Sequence, residues 1–207
     1  MLFTDIIYGP IRSRRLGISL GVNLLPLHSK LCNFDCIYCE CGWNEDNRED
    51  KPRFNAREDI REALRTTLSK MAKEGQLPDV ITFAGNGEPT IHPDFESIID
   101  DTIALRNEFA PKAKVSVLSN ATQLHREGVR NALHKVDNAI LKLDSAFTAT
   151  AKLINKPQGD YSVERIVEQL KAFGNEFVLQ TMFLRGEYNG KKIDNTTAEH
   201  IAALRTA

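Results

Sequence analysis

All four cysteines of this 207-residue chain fall in one stretch, Leu31-Cys32-Asn33-Phe34-Asp35-Cys36-Ile37-Tyr38-Cys39-Glu40-Cys41. Independent scatter does not place thiols so close together, so they are expected to act together. Cys32, Cys36 and Cys39 have the spacing C-x3-C-x2-C. A short irregular loop with these gaps can wrap one face of a cube-shaped iron–sulfur cluster. It then supplies three of the four thiolates that a fully protein-held [4Fe–4S] cluster takes, and one iron is left open to a small molecule. Zinc is the rival reading, but a closed structural zinc site wants four ligands, commonly as two well-separated pairs, and no second cysteine pair exists here. Disulfides would close only tiny loops, and a long chain without a secretion signal points to a reducing compartment. Redox thiols and plain packing stay open as further alternatives. Cys41 reads as a small buried residue. As a fourth ligand it would instead close the cluster and point to electron transfer.

Composition narrows the class. Hydrophobic residues make up 42% and charged residues 27%, with a formal net charge of −1. That is ordinary for a globular protein and argues against binding nucleic acid by bulk charge. A local basic patch is still compatible with it, and Arg12, Arg14 and Arg15 form one. They read either as a solvated charge run or as an anion clamp near the cysteines. No run is apolar enough to span a bilayer, and the N-terminus lacks the basic-then-apolar pattern of a signal peptide. The expected location is therefore cytoplasmic.

The chain alternates. After a short apolar segment at 2–8, Ile18 to Leu25 reads as a strand, and the cysteine loop leaves its C-terminal end. Residues 44–59 are polar and read as a surface loop or lid. Ile60 to Met71 has helical spacing and Gly75 is a natural stop. Val80–Ala84 reads as a buried strand running into Gly85-Asn86-Gly87-Glu88-Pro89-Thr90. Helices are expected over 95–105, 124–136, 161–173 and 196–204, and strands over 115–118, 139–144 and 177–183. The fold class is α/β, a partial, open TIM-like βα barrel of about five to six parallel strands. The whole of 1–207 reads as one domain, with 1–16 as an N-terminal arm and 17–207 as the partial barrel. Polar residues gather where strands end, the face at which barrels bind ligands. The edge at 177–183 is expected to be covered by further C-terminal residues, by the N-terminal arm or by another chain.

These motifs carry a resemblance. Cys32-x3-Cys36-Ile37-Tyr38-Cys39 resembles the C-x3-C-x-aromatic-C signature of the radical S-adenosylmethionine (radical SAM) superfamily, and Gly85–Thr90 resembles its G-G-E-P-T motif, with Asn86 where Gly is usual. Tyr8-Gly9-Pro10, Ser13–Gly17 and Ser19–Asn23 are similar to the branch of the tRNA wyosine-synthesising enzyme and uncharacterised Fe–S oxidoreductases. The resemblance implies a [4Fe–4S] cluster on Cys32, Cys36 and Cys39, and S-adenosylmethionine as cosubstrate. It implies that Gly85, Asn86, Gly87, Glu88 and Pro89 bind the amino group, and that Tyr38 lies against adenine. Ser119, Asn120 and Asp144 would contact ribose or the methionine end, helix capping being their alternative. It further implies an electron donor such as flavodoxin or ferredoxin, and a substrate that is a small metabolite, a peptide or an RNA base.

Overall fold

The computed structural model describes residues 1–46 and 52–206. Residues 47–51 of the polar stretch lie outside the described residues. A six-stranded sheet runs in chain order, β1 (Ile7–Ser13), β2 (Gly17–Val22), β3 (Val80–Phe83), β4 (Lys114–Ser119), β5 (Asn138–Lys142) and β6 (Val178–Gln180). β2 to β6 are parallel and β1 is antiparallel to β2. Helices α1 (Arg57–Glu74), α2 (Phe95–Phe109), α3 (Glu127–Lys135), α4 (Thr148–Asn155) and α5 (Val163–Phe173) form the crossovers. A hairpin of β7 (Arg185–Tyr188) and β8 (Lys191–Asp194) and helix α6 (Ala198–Thr206) follow. The sheet is open, the partial-barrel arrangement expected.

Strand alternation explains the layering. Side chains of a strand point to opposite faces with a period of two. Leu20 pairs with Ile81, Ile81 with Val115, Val22 with Phe83, Phe83 with Val117 and Val117 with Ala139, and all of these are buried in one cluster with helix residues such as Leu64, Leu68, Ile98, Ile99 and Leu133. Burying each large apolar side chain contributes about 1.5–3 kcal/mol. The alternate residues Ser19, Thr82, Leu118, Asn138 and Ile140 instead line a cavity of about 350 Å³ on the concave face. The two faces thus differ: one is sealed by helices and the other is left as a lumen.

Several boundaries move. The expected arm at 1–16 contains β1, so the N-terminal segment covers the β2 edge and not the β6 edge. β6 is shorter than 177–183 and leaves Val178, Leu179, Met182 and Phe183 substantially exposed. The hairpin beyond it was unforeseen, although Asn189-Gly190 is a strong type I′ turn signal. Both residues have positive φ, 49° and 71°. No local signal marks α4, because TATAKLIN is short, rich in β-branched residues and without a capping side chain. Gly75 does end α1, in the left-handed conformation with φ 69°. The described part of the polar stretch is fastened: Asn55 Nδ2 donates to Asn23 O at 3.1 Å and Leu25 O at 2.8 Å.

Gly21 shows what the concave face requires. The Tyr8 ring lies on it, stacked on Phe3 at 3.7 Å, with its hydroxyl donating to Ala84 O at 3.3 Å. A Cβ at Gly21 would meet Tyr8 Cζ at 2.1 Å. Gly21→Ala is expected to lower stability by about 1–3 kcal/mol, the usual cost of overpacking, read as a lower urea midpoint with unchanged slope.

Candidate active site

The cysteine loop leaves the end of β2 and is seated by main-chain bonds on two sides. On one side Leu31 bridges Gly87 at the end of β3: Leu31 N donates to Asn86 O at 2.8 Å and Glu88 N to Leu31 O at 3.1 Å. On the other, Asp35 N donates to Asn155 O and Ile37 N to Ile154 O, both at 2.9 Å, and Gln158 N donates to Asn33 O at 2.8 Å. The last carbonyls of a helix have no partner within it. Here the cysteine loop uses those of α4. Phe34 is the hydrophobic peg, buried and edge-on to Tyr161 at 5.4 Å.

Two residues outside the expected set complete the seat. Asn44 gives Nδ2 to Cys32 O at 3.0 Å and Phe34 O at 3.1 Å. Lys30 is 1% exposed, and its ammonium donates to Asp35 Oδ1 at 2.9 Å and Gly42 O at 2.6 Å. Burial opposes its charge, but the hydrogen bond to Asp35 and the nearby Cys39 and Cys32 outweigh burial and hold its pKa above the usual value. A sequence signal existed for both, since a lysine and an asparagine flank the cysteines, but polar residues in a loop are ordinarily solvated.

The strand ends meet at buried carboxylates. Glu88 Oε1 accepts from Ser119 Oγ at 2.8 Å and Thr90 N at 3.1 Å, and Oε2 accepts from Asn120 N at 2.7 Å. Burial raises the Glu88 pKa against these bonds. Burial and then the Glu88 charge push the Cys32 thiol up to about 12. Asp144, at the end of β5, accepts from the Tyr38 hydroxyl, from Asn155 Nδ2 at 2.6 Å and from Met182 N at 2.9 Å. Burial raises the Cys36 pKa, and Lys142 and the Asn155 hydrogen bond oppose it. Cys39 is held low, first by a hydrogen bond from Cys41.

The expected site residues divide accordingly. Cys32, Glu88, Ser119 and Asn120 are brought together, with Asn120 Nδ2 4.0 Å from Cys32 Sγ. Tyr38, Cys36 and Asp144 form a second group. Gly85 O faces Cys41 Sγ at 3.5 Å. Pro89 opens a 3-10 turn, Pro89–Ile91, capped by Glu88. Asn86 is turned into the fold: Nδ2 donates to Phe3 O and Pro26 O, Oδ1 accepts from Phe3 N, and N donates to Asn23 Oδ1. Ser119, Asn120 and Asp144 cap no helix; α3 starts at Glu127 after Arg126. Arg12, Arg14 and Arg15 are exposed at the β1–β2 turn, where Ser13 pairs with Gly17. That is the end of β2 opposite to the cysteine loop, and the strand is about 17 Å long at ~3.3 Å per residue. They are therefore no clamp beside the cysteines.

Among the described residues no three His, Cys, Asp or Glu side chains are arranged to hold one metal ion. A [4Fe–4S] cluster takes each thiolate on its own iron, and Cys32, Cys36 and Cys39 offer three thiols from one short loop. The donor set fits the cluster.

Residues 27–196, from before the cysteine loop to beyond β8, match the family description "Radical SAM superfamily". The chain belongs to this superfamily. The radical SAM family as a whole uses a [4Fe–4S] cluster with S-adenosylmethionine, which gives the general reaction class. A UPF0026 protein of Methanocaldococcus jannaschii is 32% identical over 183 residues, 86% of this chain and 54% of that protein. A UPF0026 protein of Synechocystis is 32% identical over 184 residues, 86% of this chain and 64% of that protein. The chain thus spans between half and two thirds of these relatives. In fold it is similar to a radical SAM methyltransferase from Sphaerobacter thermophilus, with TM-score 0.63, 10% identity and coverage of 91% of this chain and 52% of that one. It is also similar to archaeal TYW1, with TM-score 0.53, 14% identity and coverage of 90% and 61%. Among the described residues no helix is long and apolar enough to cross a membrane.

Gly87 makes the loop's approach possible. Its φ is 139°, and a Cβ there would lie 1.9 Å from Leu31 O, a backbone atom with nowhere to go. Gly87→Ala is expected to unseat the loop and sharply reduce iron uptake, measured as iron per chain after anaerobic reconstitution. Lys30→Met should cost about 1.5–3 kcal/mol, the range for a hydrogen bond to a charged group, measured by denaturant unfolding of the cluster-free protein.

Proposed function

We propose that this chain carries the catalytic centre of a radical SAM enzyme, with Cys32, Cys36 and Cys39 as the ligands of a [4Fe–4S] cluster whose fourth iron takes S-adenosylmethionine. The observation that carries the reading is the seat of the cysteine loop on the glycine-rich end of β3, through the Leu31–Gly87 bridge. Bound there and reduced, the group would supply the electron for reductive cleavage of S-adenosylmethionine, and the resulting 5′-deoxyadenosyl radical would take hydrogen from a substrate. The protein supplies position, electronics and exclusion of water.

The chain's own residues have distinct tasks in this reading. Glu88 ties the ends of β3 and β4 through Ser119 and Asn120 and places negative charge where the amino group of S-adenosylmethionine binds, beside the Gly85–Pro89 segment. Asn86 serves by holding the N-terminal segment and Pro26, since its amide is occupied there. Tyr38 is fixed at its hydroxyl by Asp144 and has Lys142 Nζ over the ring at 4.3 Å, so its orientation is set before adenine arrives. The lumen on the concave face, with Leu118 and Ile140 among its lining residues, offers room for part of a substrate below the strand ends. A flavodoxin- or ferredoxin-type donor would supply the electron.

Anaerobic reconstitution is expected to load about four irons per chain, and dithionite with S-adenosylmethionine should then release 5′-deoxyadenosine and methionine. Cys32→Ala, Cys36→Ala and Cys39→Ala should each abolish both, because each removes one of only three thiolates. Cys41→Ala should preserve both. If instead Cys41 is required and one of the other three is dispensable, the chain is a four-cysteine electron-transfer protein and the open-iron reading fails. Glu88→Ala should keep the cluster and weaken S-adenosylmethionine binding by about 1.5–3 kcal/mol, read by calorimetric titration.

A further inference from the structure

We propose that Asn155 is a positioning residue that donates a hydrogen bond to the Cys36 sulfur and so sets how readily the cluster is reduced. This rests on the reading of Cys36 as a cluster ligand. Asn155 is the last residue of α4 and is 2% exposed. Its amide orientation is dictated by its neighbour. The carboxylate of Asp144 only accepts, so the Asn155 atom 2.6 Å from Asp144 Oδ2 is the nitrogen. One N–H is thereby committed to Asp144. The same nitrogen lies 3.4 Å from Cys36 Sγ and 3.4 Å from the Tyr38 hydroxyl. The second N–H is directed at that pair.

Asp144 is itself held firmly. It accepts from Met182 N at 2.9 Å and from the Tyr38 hydroxyl, and Lys142 Nζ lies 3.5 Å away. A buried charge at the end of β5 therefore orients an amide at the end of α4 toward a sulfur in the cysteine loop. The backbone repeats the connection, since Asn155 O accepts from Asp35 N. Cys32 receives Phe34 N at 3.4 Å, a peptide of the same loop, and Asn120 Nδ2 only at 4.0 Å. At Cys36 the donor arrives from a different element and can be removed without altering the loop's own backbone.

The physical consequence has a definite sign. Hydrogen bonds to the sulfurs are among the factors that set a cluster's reduction potential. An N–H donor stabilises electron density on sulfur, and more so after an electron is added. Asn155 therefore raises the potential and eases reduction.

The test is an electron paramagnetic resonance redox titration of the reconstituted chain. Asn155→Leu removes the donor at similar volume. Its midpoint should become more negative, corresponding to about a tenfold less favourable reduction, or ~59 mV for a one-electron couple. A merely structural role would change unfolding without moving the midpoint of the loaded fraction. If the leucine variant does not take up iron, Asn155→Ala is titrated in the same way with the same expectation. An unchanged midpoint in a loaded variant overturns this inference and leaves the cluster reading standing. Failure of the unaltered chain to take up a cluster overturns the cluster reading, and this inference with it.

Discussion

The cysteine loop has no regular structure of its own, and backbone hydrogen bonds from two flanking elements impose its shape. The parallel bridge to Gly87 holds its start, and the free carbonyls at the end of α4 hold its middle. Each such bond contributes only about 0.5–1.5 kcal/mol net, yet together they determine where three thiols point. Gly87 is explained first by this contact, and Gly85 by the close approach of Asn23. A side chain at either would strike Asn23 or Leu31 before it met any ligand.

Buried charge follows from the same arrangement. Lys30, Glu88 and Asp144 are all almost fully removed from water, and each is surrounded by donors or acceptors. Removing the partner of a buried charge costs up to about 3–5 kcal/mol. Paired, these groups join neighbouring parts of the sheet: Glu88 links β3 to β4, and Asp144 links β5 to the segment after β6 and to the cysteine loop. Lys30 places a positive charge near Cys39 and Cys32.

The sheet is asymmetric in the way it ends. β1 closes one edge through an antiparallel pairing, whereas β6 is short and carries exposed apolar side chains. The relatives at 32% identity are longer than the part matched here. Between the two edges, the helix-facing residues of β2–β5 are buried in one cluster with residues of α1–α5.

Much of this was legible in order along the chain. The C-x3-C-x2-C spacing, the βα alternation, the strand-end polar residues and the Gly75 stop are local patterns, and local patterns act through periodicity and backbone preference. Contacts between distant segments were not legible. Nothing near Asn155 in sequence announces that α4 exists or that its last amide meets a cysteine more than a hundred residues earlier. Nothing near Lys30 says that it is buried. The choice between a solvated run and a clamp for Arg12, Arg14 and Arg15 was not legible either, because an antiparallel turn sends them to the far end of the sheet, and hairpin direction is a matter of pairing. The sequence by itself determined the chemistry available, namely which thiols, carboxylates and glycines exist and at what spacing. Only the tertiary structure decided which of them face one another, because burial forces each polar group to find a partner and the partners come from other strands.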